Sequence, residues 1–357
     1  MTHTNLEINV RNNAALMTKQ PDVSVDLEDL AGYTNHSHYH LDNWDAHFCG
    51  RRPDDFVRAR ESMLWRWRPK SCSLFDFRRI SSQQHTLGAL LGKLGKRKIV
   101  LVGDSISLEQ YLSLEGLLGS EIVDAQSETV HINGKPHAGQ STSFITRSGL
   151  QVYFTRSDFL VNKDTMKLDL ADPKADPLGM PHYTMTNMSH LDWHSSPWTH
   201  LLDSPNSYLV LATSAHWWSH RGYGPEQYAA GVRAVLRHLV SKFKGERVFV
   251  RASVAGHPQC QLAQGPYSDF LYPHEEHWVN WGEFKGHNDA WRQAIAAQND
   301  TRFVFLDVEP MTRVRPDGHL RPDGPDCLHY CLPGVIDYWT LLLASFWMSC
   351  RTGLTAV

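Results

Sequence analysis

Long apolar runs are missing from this sequence. No stretch reaches the about 18 consecutive apolar residues of a membrane-crossing helix, and the most apolar segment, Tyr338 to Met348, suits a last core helix instead. Residues 1–25 are polar and lack the apolar core of a signal peptide. The expectation is that a membrane anchor or targeting segment is absent from this chain, or that the protein is targeted by another route. Charge of one sign is scarce too. There are 35 Lys and Arg against 38 Asp and Glu, a formal net charge of −3, which gives no reason to expect nucleic acid as a partner. No nucleotide loop, metal-ligand spacing or carrier-attachment motif occurs, so neither a cofactor nor a metal is expected. The nearest approach to a metal motif is His36-Ser-His-Tyr-His40, whose alternation would put three imidazoles on one face of a strand. A polar surface segment is the simpler reading. No internal repeat at a fixed period is visible.

What is present describes a globular chain. Hydrophobic residues make up 41% and charged residues 20%. With 357 residues the chain can hold one large α/β domain and a side lobe. The 12 Trp suit sugar stacking as well as ordinary cores. Six cysteines, Cys49, Cys72, Cys260, Cys327, Cys331 and Cys350, permit a full disulfide framework, whose connectivity the sequence does not choose. Three N-x-Ser/Thr acceptors, at Asn35, Asn187 and Asn299, join them in favouring the secretory pathway over the cytosol.

One stretch organises the rest. Lys98 to Val102 has the Val, Ile and Leu content of a buried strand, Gly103 breaks it, and Ser105 sits just past its end. From Ile106 to Leu118 apolar residues recur at intervals of three and four, which predicts a helix with one apolar face. A strand, a Gly103-Asp104-Ser105 turn and a helix together put a serine hydroxyl at the carboxyl end of a strand, where open α/β sheets bind ligands. The helix N-terminus there can hold a developing negative charge. The serine needs a base to become a nucleophile. Asp326-Cys-Leu-His329 offers one: a spacing of three sets Asp326 and His329 on one side of a turn, in the order orienter and base. Taken singly, Ser105 is a helix cap, Asp326 a loop carboxylate and His329 a surface histidine. Their joint order argues catalysis. Asp104 reads as fixing the turn.

The remaining chain alternates strands and helices. Leu150 to Val161 reads as a strand containing Arg156, and Tyr208 to Leu211 as another, with Thr213, Ser214 and His216 at its carboxyl end. That is the edge where Ser105 lies, so a small polar residue there is a candidate oxyanion donor. A helix over Glu226–Phe243, a strand over Arg247–Arg251, a helix over Gly286–Asn299 and a strand over Arg302–Asp307 follow. The alternation predicts an α/β fold with a doubly wound parallel sheet. The long connection from Asp164 to Pro197 is a candidate acceptor rim. Residues 1–40 read as a flexible N-terminal segment, 41–95 as a small N-terminal lobe with Trp65 and Trp67 on one face of an extended piece, and 96–350 as the main domain.

Gly103-Asp-Ser105 with Asp326-Cys-Leu-His-Tyr-Cys-Leu-Pro-Gly334, Asp337 and Trp339 resembles the trichome-birefringence-like proteins and their fungal relatives, the PC-esterase group. Further matches are Trp65-Arg-Trp-Arg-Pro-Lys-Ser-Cys72, Phe154-Thr-Arg-Ser-Asp-Phe-Leu-Val161 and Ala215-His-Trp-Trp218. The resemblance implies an SGNH/GDSL-hydrolase-like catalytic domain with a small disulfide-tied lobe, in which Cys49 and Cys72 serve the lobe and Cys327 and Cys331 flank His329. It implies Ser105 as nucleophile, His329 as base and Asp326 as orienter. Gly103, Asp104, Arg156, Thr213, Ser214 and His216 are then the oxyanion or substrate-binding set. The implied activity is polysaccharide O-acetyl transfer in the Golgi lumen, from an acetyl donor to a polysaccharide or oligosaccharide acceptor. A glycan acetyl esterase with the same residues and a non-catalytic glycan-binding protein are the alternatives. The family usually shows Arg and Asn where this chain has Leu108 and Glu109, and Asn where it has Thr213.

Overall fold

The computed structural model describes residues 17–19, 62, 65–67, 91, 97–132, 135–161, 196, 198–217, 219, 224–267, 281–320 and 326–352. Strand β1 (Met17–Lys19) pairs antiparallel with β2 (Trp65–Trp67), Met17 opposite Trp67. This short ribbon joins the segment read as flexible to the segment read as a lobe. The Cys49 and Cys72 expectation and most of Asp164–Pro197 lie outside the described residues. Among the described residues, hydrogen bonds from Arg315 and Tyr338 reach the segment read as a lobe. The buried Arg315 guanidinium donates to the Ser62 carbonyl at 2.6 Å and to its hydroxyl at 2.8 Å. The Tyr338 hydroxyl donates to the Trp65 carbonyl at 3.4 Å.

The main domain is built on a seven-stranded sheet. Strand β3 (Lys98–Gly103) leads into helix α1 (Ser105–Leu118), then β4 (Ile122–Ile132), β5 (Lys135–Thr146) and β6 (Gln151–Arg156). Next come β7 (Ser207–Ala212), α2 (Pro225–Lys242), β8 (Arg247–Arg251), α3 (Phe284–Gln298) and β9 (Phe303–Leu306). A short α4 (Glu309–Thr312) and a long α5 (Val335–Thr352) finish the fold. The strand order is β4-β5-β6-β3-β7-β8-β9. The last five run parallel, as the alternation of strands and helices requires. Their apolar side chains separate into two cores. Ile99 and Leu101 face α1 and α5, while Val100 and Val102 face α2 and α3, the period-two signature of a sheet covered on both sides.

To the five parallel strands the sheet adds two antiparallel ones, which the alternation of strands and helices does not indicate. Strands β4 and β5 form an antiparallel hairpin that pairs onto β6. Their sequences carry many Ser, Thr and charged residues and lack a core-strand run, so apolar content alone does not reveal them. The signal was present in the two residues between Ile132 and Lys135, Asn133-Gly134, a dipeptide favoured in tight hairpins. β4 is the sheet's outer strand, and its register shifts twice, between Ile122 and Asp124 and between Glu128 and Val130.

Helix α1 also departs from expectation. The periodicity predicts one buried face, with Gln110 among its residues, yet Ser107, Glu109, Ser113 and Glu115 are buried as well. One cause is α5, which packs against it: the Ser113 hydroxyl donates to Asp337 at 2.6 Å and lies 2.9 Å from that of Thr340. Burial pushes the Glu115 carboxyl up to about 8. A helix enclosed on both sides holds its first residue firmly in place. At the strand end before it, a methyl group on Gly103 would strike the Ala212 carbonyl and the Ser107 hydroxyl. Gly103→Ala is therefore expected to destabilise the protein by about 1–3 kcal/mol, read by chemical denaturation. An unchanged midpoint would show that the turn can give way.

Candidate active site

Ser105 is the first residue of α1, and Asp104 caps the helix by accepting the Ile106 N–H at 3.1 Å. The Asp104 carboxylate is thus spent on the turn. Opposite it stands the loop 326–334. Asp326 accepts the backbone N–H groups of Leu328 and His329 through Oδ1, at 3.0 and 3.1 Å, which folds the four residues into a turn. Its Oδ2 is then free to meet His329 Nδ1 at 2.7 Å. On the far side of the ring, Nε2 lies 2.8 Å from Ser105 Oγ. The three side chains form one hydrogen-bonded chain, with Ser105 half-buried at its end.

The electrostatics of this chain favour the charged ring. Burial pushes His329 down, but the Asp326 hydrogen bond and the nearby carboxylates of Glu109, Asp326 and Asp104 outweigh it and raise the imidazole to about 9. For Asp326, burial pushes the carboxyl up. The bond and charge of His329, with the two backbone N–H groups, overcome that and hold it well below 3.8.

The loop is held from behind by several contacts. Cys327 is disulfide-bonded to Cys260, and the His257 N–H donates to the Cys327 carbonyl at 2.9 Å. Cys331 is also disulfide-bonded. The buried His319 donates through Nδ1 to the His329 carbonyl at 2.9 Å, and its Nε2 lies 2.5 Å from His257 Nδ1. His257 Nε2 in turn donates to the Arg313 carbonyl at 2.7 Å. The two outer bonds take one ring proton each, so the central link is complete only when the pair carries a third. The pair His257 and His319 was not singled out by the sequence, where no pattern marks them.

The other expected site residues divide into two groups. Arg156 and Ala212 are the register partners of Gly103 on β6 and β7, so Arg156, Thr213, Ser214 and His216 do reach the strand edge beside Ser105. The Thr213 hydroxyl, however, donates to the Asp158 carbonyl, while its own carbonyl accepts the Tyr228 and Ser253 hydroxyls. Ser214 shares a 2.6 Å hydrogen bond with His287 Nδ1. Burial pushes that imidazole down to about 3, so the ring is neutral at physiological pH and the serine hydroxyl is held by it. Both hydroxyls are therefore engaged within the domain, and both residues are buried. Arg156 makes a two-pronged pair with the buried Asp158, at 2.9 and 3.3 Å, and His216 Nε2 lies 3.3 Å from the same carboxylate. Arg156 and His216 keep part of their surface open, with side-chain exposures of 20% and 26%, so they remain able to meet a substrate. Among the described residues no cluster of His, Cys, Asp and Glu is arranged to hold a metal.

A family model for PC-esterases, the GDSL/SGNH-like acyl-esterases found in Pmr5 and Cas1p, matches residues 87–346. The chain belongs to the PC-esterase family. Among its relatives, the protein trichome birefringence-like 9 of Arabidopsis thaliana is 26% identical over 314 residues, covering 78% of this chain and 70% of that protein. Xylan O-acetyltransferase 2 of Oryza sativa subsp. japonica is 24% identical over 339 residues, covering 82% and 61% respectively. Among solved structures, the acetylxylan esterase Axe2 of Geobacillus stearothermophilus aligns at a TM-score of 0.32 with 9% identity, over 74% of this chain and 97% of that one.

The directions of the two shifts set a pH window for stability. His329, raised from 6.5, contributes fully below 6.5 and loses its contribution as pH rises through about 9. Asp326, lowered from 3.8, contributes above 3.8 and loses it as pH falls. In this PC-esterase, Asp326→Asn should lower the melting temperature most between those limits, about pH 4 to 6.5. The gap from wild type should narrow on both sides. Melting curves across pH test this, and a constant gap would contradict it.

Proposed function

We propose that this protein is an O-acetyltransferase acting on a polysaccharide or oligosaccharide, through an acetyl-serine intermediate on Ser105. The observation that carries this reading is the 2.8 Å approach of His329 Nε2 to Ser105 Oγ, with Asp326 on the other ring nitrogen. His329 Nε2 takes the Ser105 proton as Oγ attacks the acetyl carbonyl of a donor. The new oxyanion faces the Ser105 backbone N–H at the start of α1, a group with no partner inside the helix. Collapse expels the donor's leaving group, which takes the proton from Nε2. A sugar hydroxyl then attacks the acetyl-serine and gives its own proton to Nε2. Ser105 recovers that proton as it leaves.

Three further observations bear on acceptor and setting. The rice relative carries xylan acetyl transfer in its name, which supports a sugar hydroxyl as acceptor. The family's description as acyl-esterases favours the second reading, in which water takes the acetyl group and a glycan is deacetylated. The disulfide between Cys260 and Cys327 suits an oxidising compartment, in keeping with the secretory pathway and the Golgi lumen. Among the described residues no helix is long and apolar enough to cross a membrane.

The test is mass spectrometry of wild type and Ser105→Ala given p-nitrophenyl acetate, with and without xylan, mannan and glucan oligosaccharides. Acetylated oligosaccharide from the wild type alone supports the transferase. Free acetate that no glycan diverts, absent in the variant, supports the esterase. Equal behaviour of the two proteins refutes both and leaves glycan binding. The base must be neutral to accept a proton, so kcat/KM should climb about tenfold per pH unit below its pKa and level off near 9. A profile already flat at pH 6 would contradict the raised imidazole.

A further inference from the structure

Glu109 lies one helical turn beyond Ser105 on α1, and its side chain is fully buried. Both of its oxygens accept the backbone N–H of Tyr330, at 3.1 and 3.2 Å. Tyr330 follows His329 directly. The nucleophile helix and the base loop are therefore joined at two points, Ser105 to His329 and Glu109 to Tyr330. The first joint cannot persist: once Ser105 is acylated, Oγ has no proton to offer Nε2. The second is untouched by the chemistry.

We propose that Glu109 is a positioning residue for acetyl transfer: it keeps the His329 loop docked on α1 through both halves of the reaction and supplies negative charge beside the imidazolium that forms in each. This rests on the reading of Ser105, His329 and Asp326 given above.

Among the described residues, several charged groups surround it. From β8, the buried Arg251 guanidinium sits over the Trp339 ring at 4.7 Å and donates to the Ser107 hydroxyl at 3.2 Å. Burial pushes Arg251 down to about 10, opposed by Asp104, Glu109 and Tyr330, so it stays charged at neutral pH and offsets the buried carboxylate. From the helix start comes Asp104, and from the loop Asp326 and His329. Behind Tyr330, whose hydroxyl burial raises well above 10, lie His319 at a ring distance of 4.1 Å and the ion pair of Arg315 with Asp317. After the Asp326 hydrogen bond, the charge of Glu109 is among the influences that favour the protonated His329. Two independent facts thus converge on this side chain: a hydrogen bond to the base loop and a charge that favours the protonated base.

Glu109→Gln separates the two, because the amide oxygen still accepts the Tyr330 N–H while the charge is gone. Glu109→Ala removes both. The probe is p-nitrophenyl acetate, with turnover measured from pH 5 to 10 alongside melting temperature. In Glu109→Gln the acid limb of kcat/KM is expected to move about one unit toward lower pH, with the plateau reduced. Glu109→Ala should lose about 10- to 100-fold in kcat with little change in KM. A pH limb that stays put in Glu109→Gln overturns the proposal, as does a kcat in Glu109→Ala equal to wild type. If Glu109→Ala does not fold, the Gln variant decides alone. Ser105→Ala distinguishes the levels. Turnover surviving in it refutes the serine mechanism and this proposal together. Turnover lost in it, with the Glu109→Gln limb unmoved, refutes only the role of Glu109.

Discussion

The hydrogen bond between Ser105 and His329 joins two points 224 residues apart, and most of the described structure serves to keep those two points in register. One end is fixed by the sheet. Strand β3 runs between β6 and β7, and Gly103 lets it turn tightly against Ala212 into a helix buried on nearly every side. The other end has no strand or helix of its own beneath it. It is a loop, and covalent and polar ties take the place of secondary structure: a disulfide at Cys327, a further disulfide at Cys331, His319 on the carbonyl of His329 and Glu109 on the N–H of Tyr330. Asp337 then accepts the Gly334 N–H at 2.6 Å and starts α5, returning the chain to regular structure. Closing a loop over so long a stretch of chain is entropically costly, so ties that act on the loop directly matter more than the length of the segments between them.

The charges around the site lean in one direction. Asp104, Glu109 and Asp326 all favour a protonated His329, against the effect of burial. In the mechanism proposed above, such a site would stabilise the imidazolium of the transition state more than it keeps the free base available. Arg251 keeps the sum from becoming prohibitive, since an unpaired buried carboxylate would cost several kcal/mol, on the order given for buried charges.

Much of this was legible from the chain itself. The strand ending at Gly103, the helix behind it and the spacing of Asp326 and His329 are local patterns, and local patterns survive folding when the core they imply is built. Strands β7 and β8 fall within a residue of their apolar runs for the same reason. The hairpin β4–β5 was not legible from apolar periodicity, because an edge hairpin half in water needs no apolar run. The burial of the polar residues of α1 was not legible because it depends on partners remote in the chain: α5 at Ser113, the 326–334 loop at Glu109 and Arg251 at Ser107. The roles of Thr213 and Ser214 turned on Asp158 and His287, partners no spacing could name. Long-range partners decide which polar groups are free, and a sequence read locally does not contain them.

The outer strand of the sheet carries one more consequence. An open strand edge offers a regular ladder of donors and acceptors on which another chain can align. β4 breaks that ladder twice, with its register shifts flanking Asp124 and Gln126. An incoming strand would have to follow each offset and desolvate the exposed Asp124 carboxylate as it paired. Among the described residues, the edge that closes the sheet on this side is thus a poor template for a further strand.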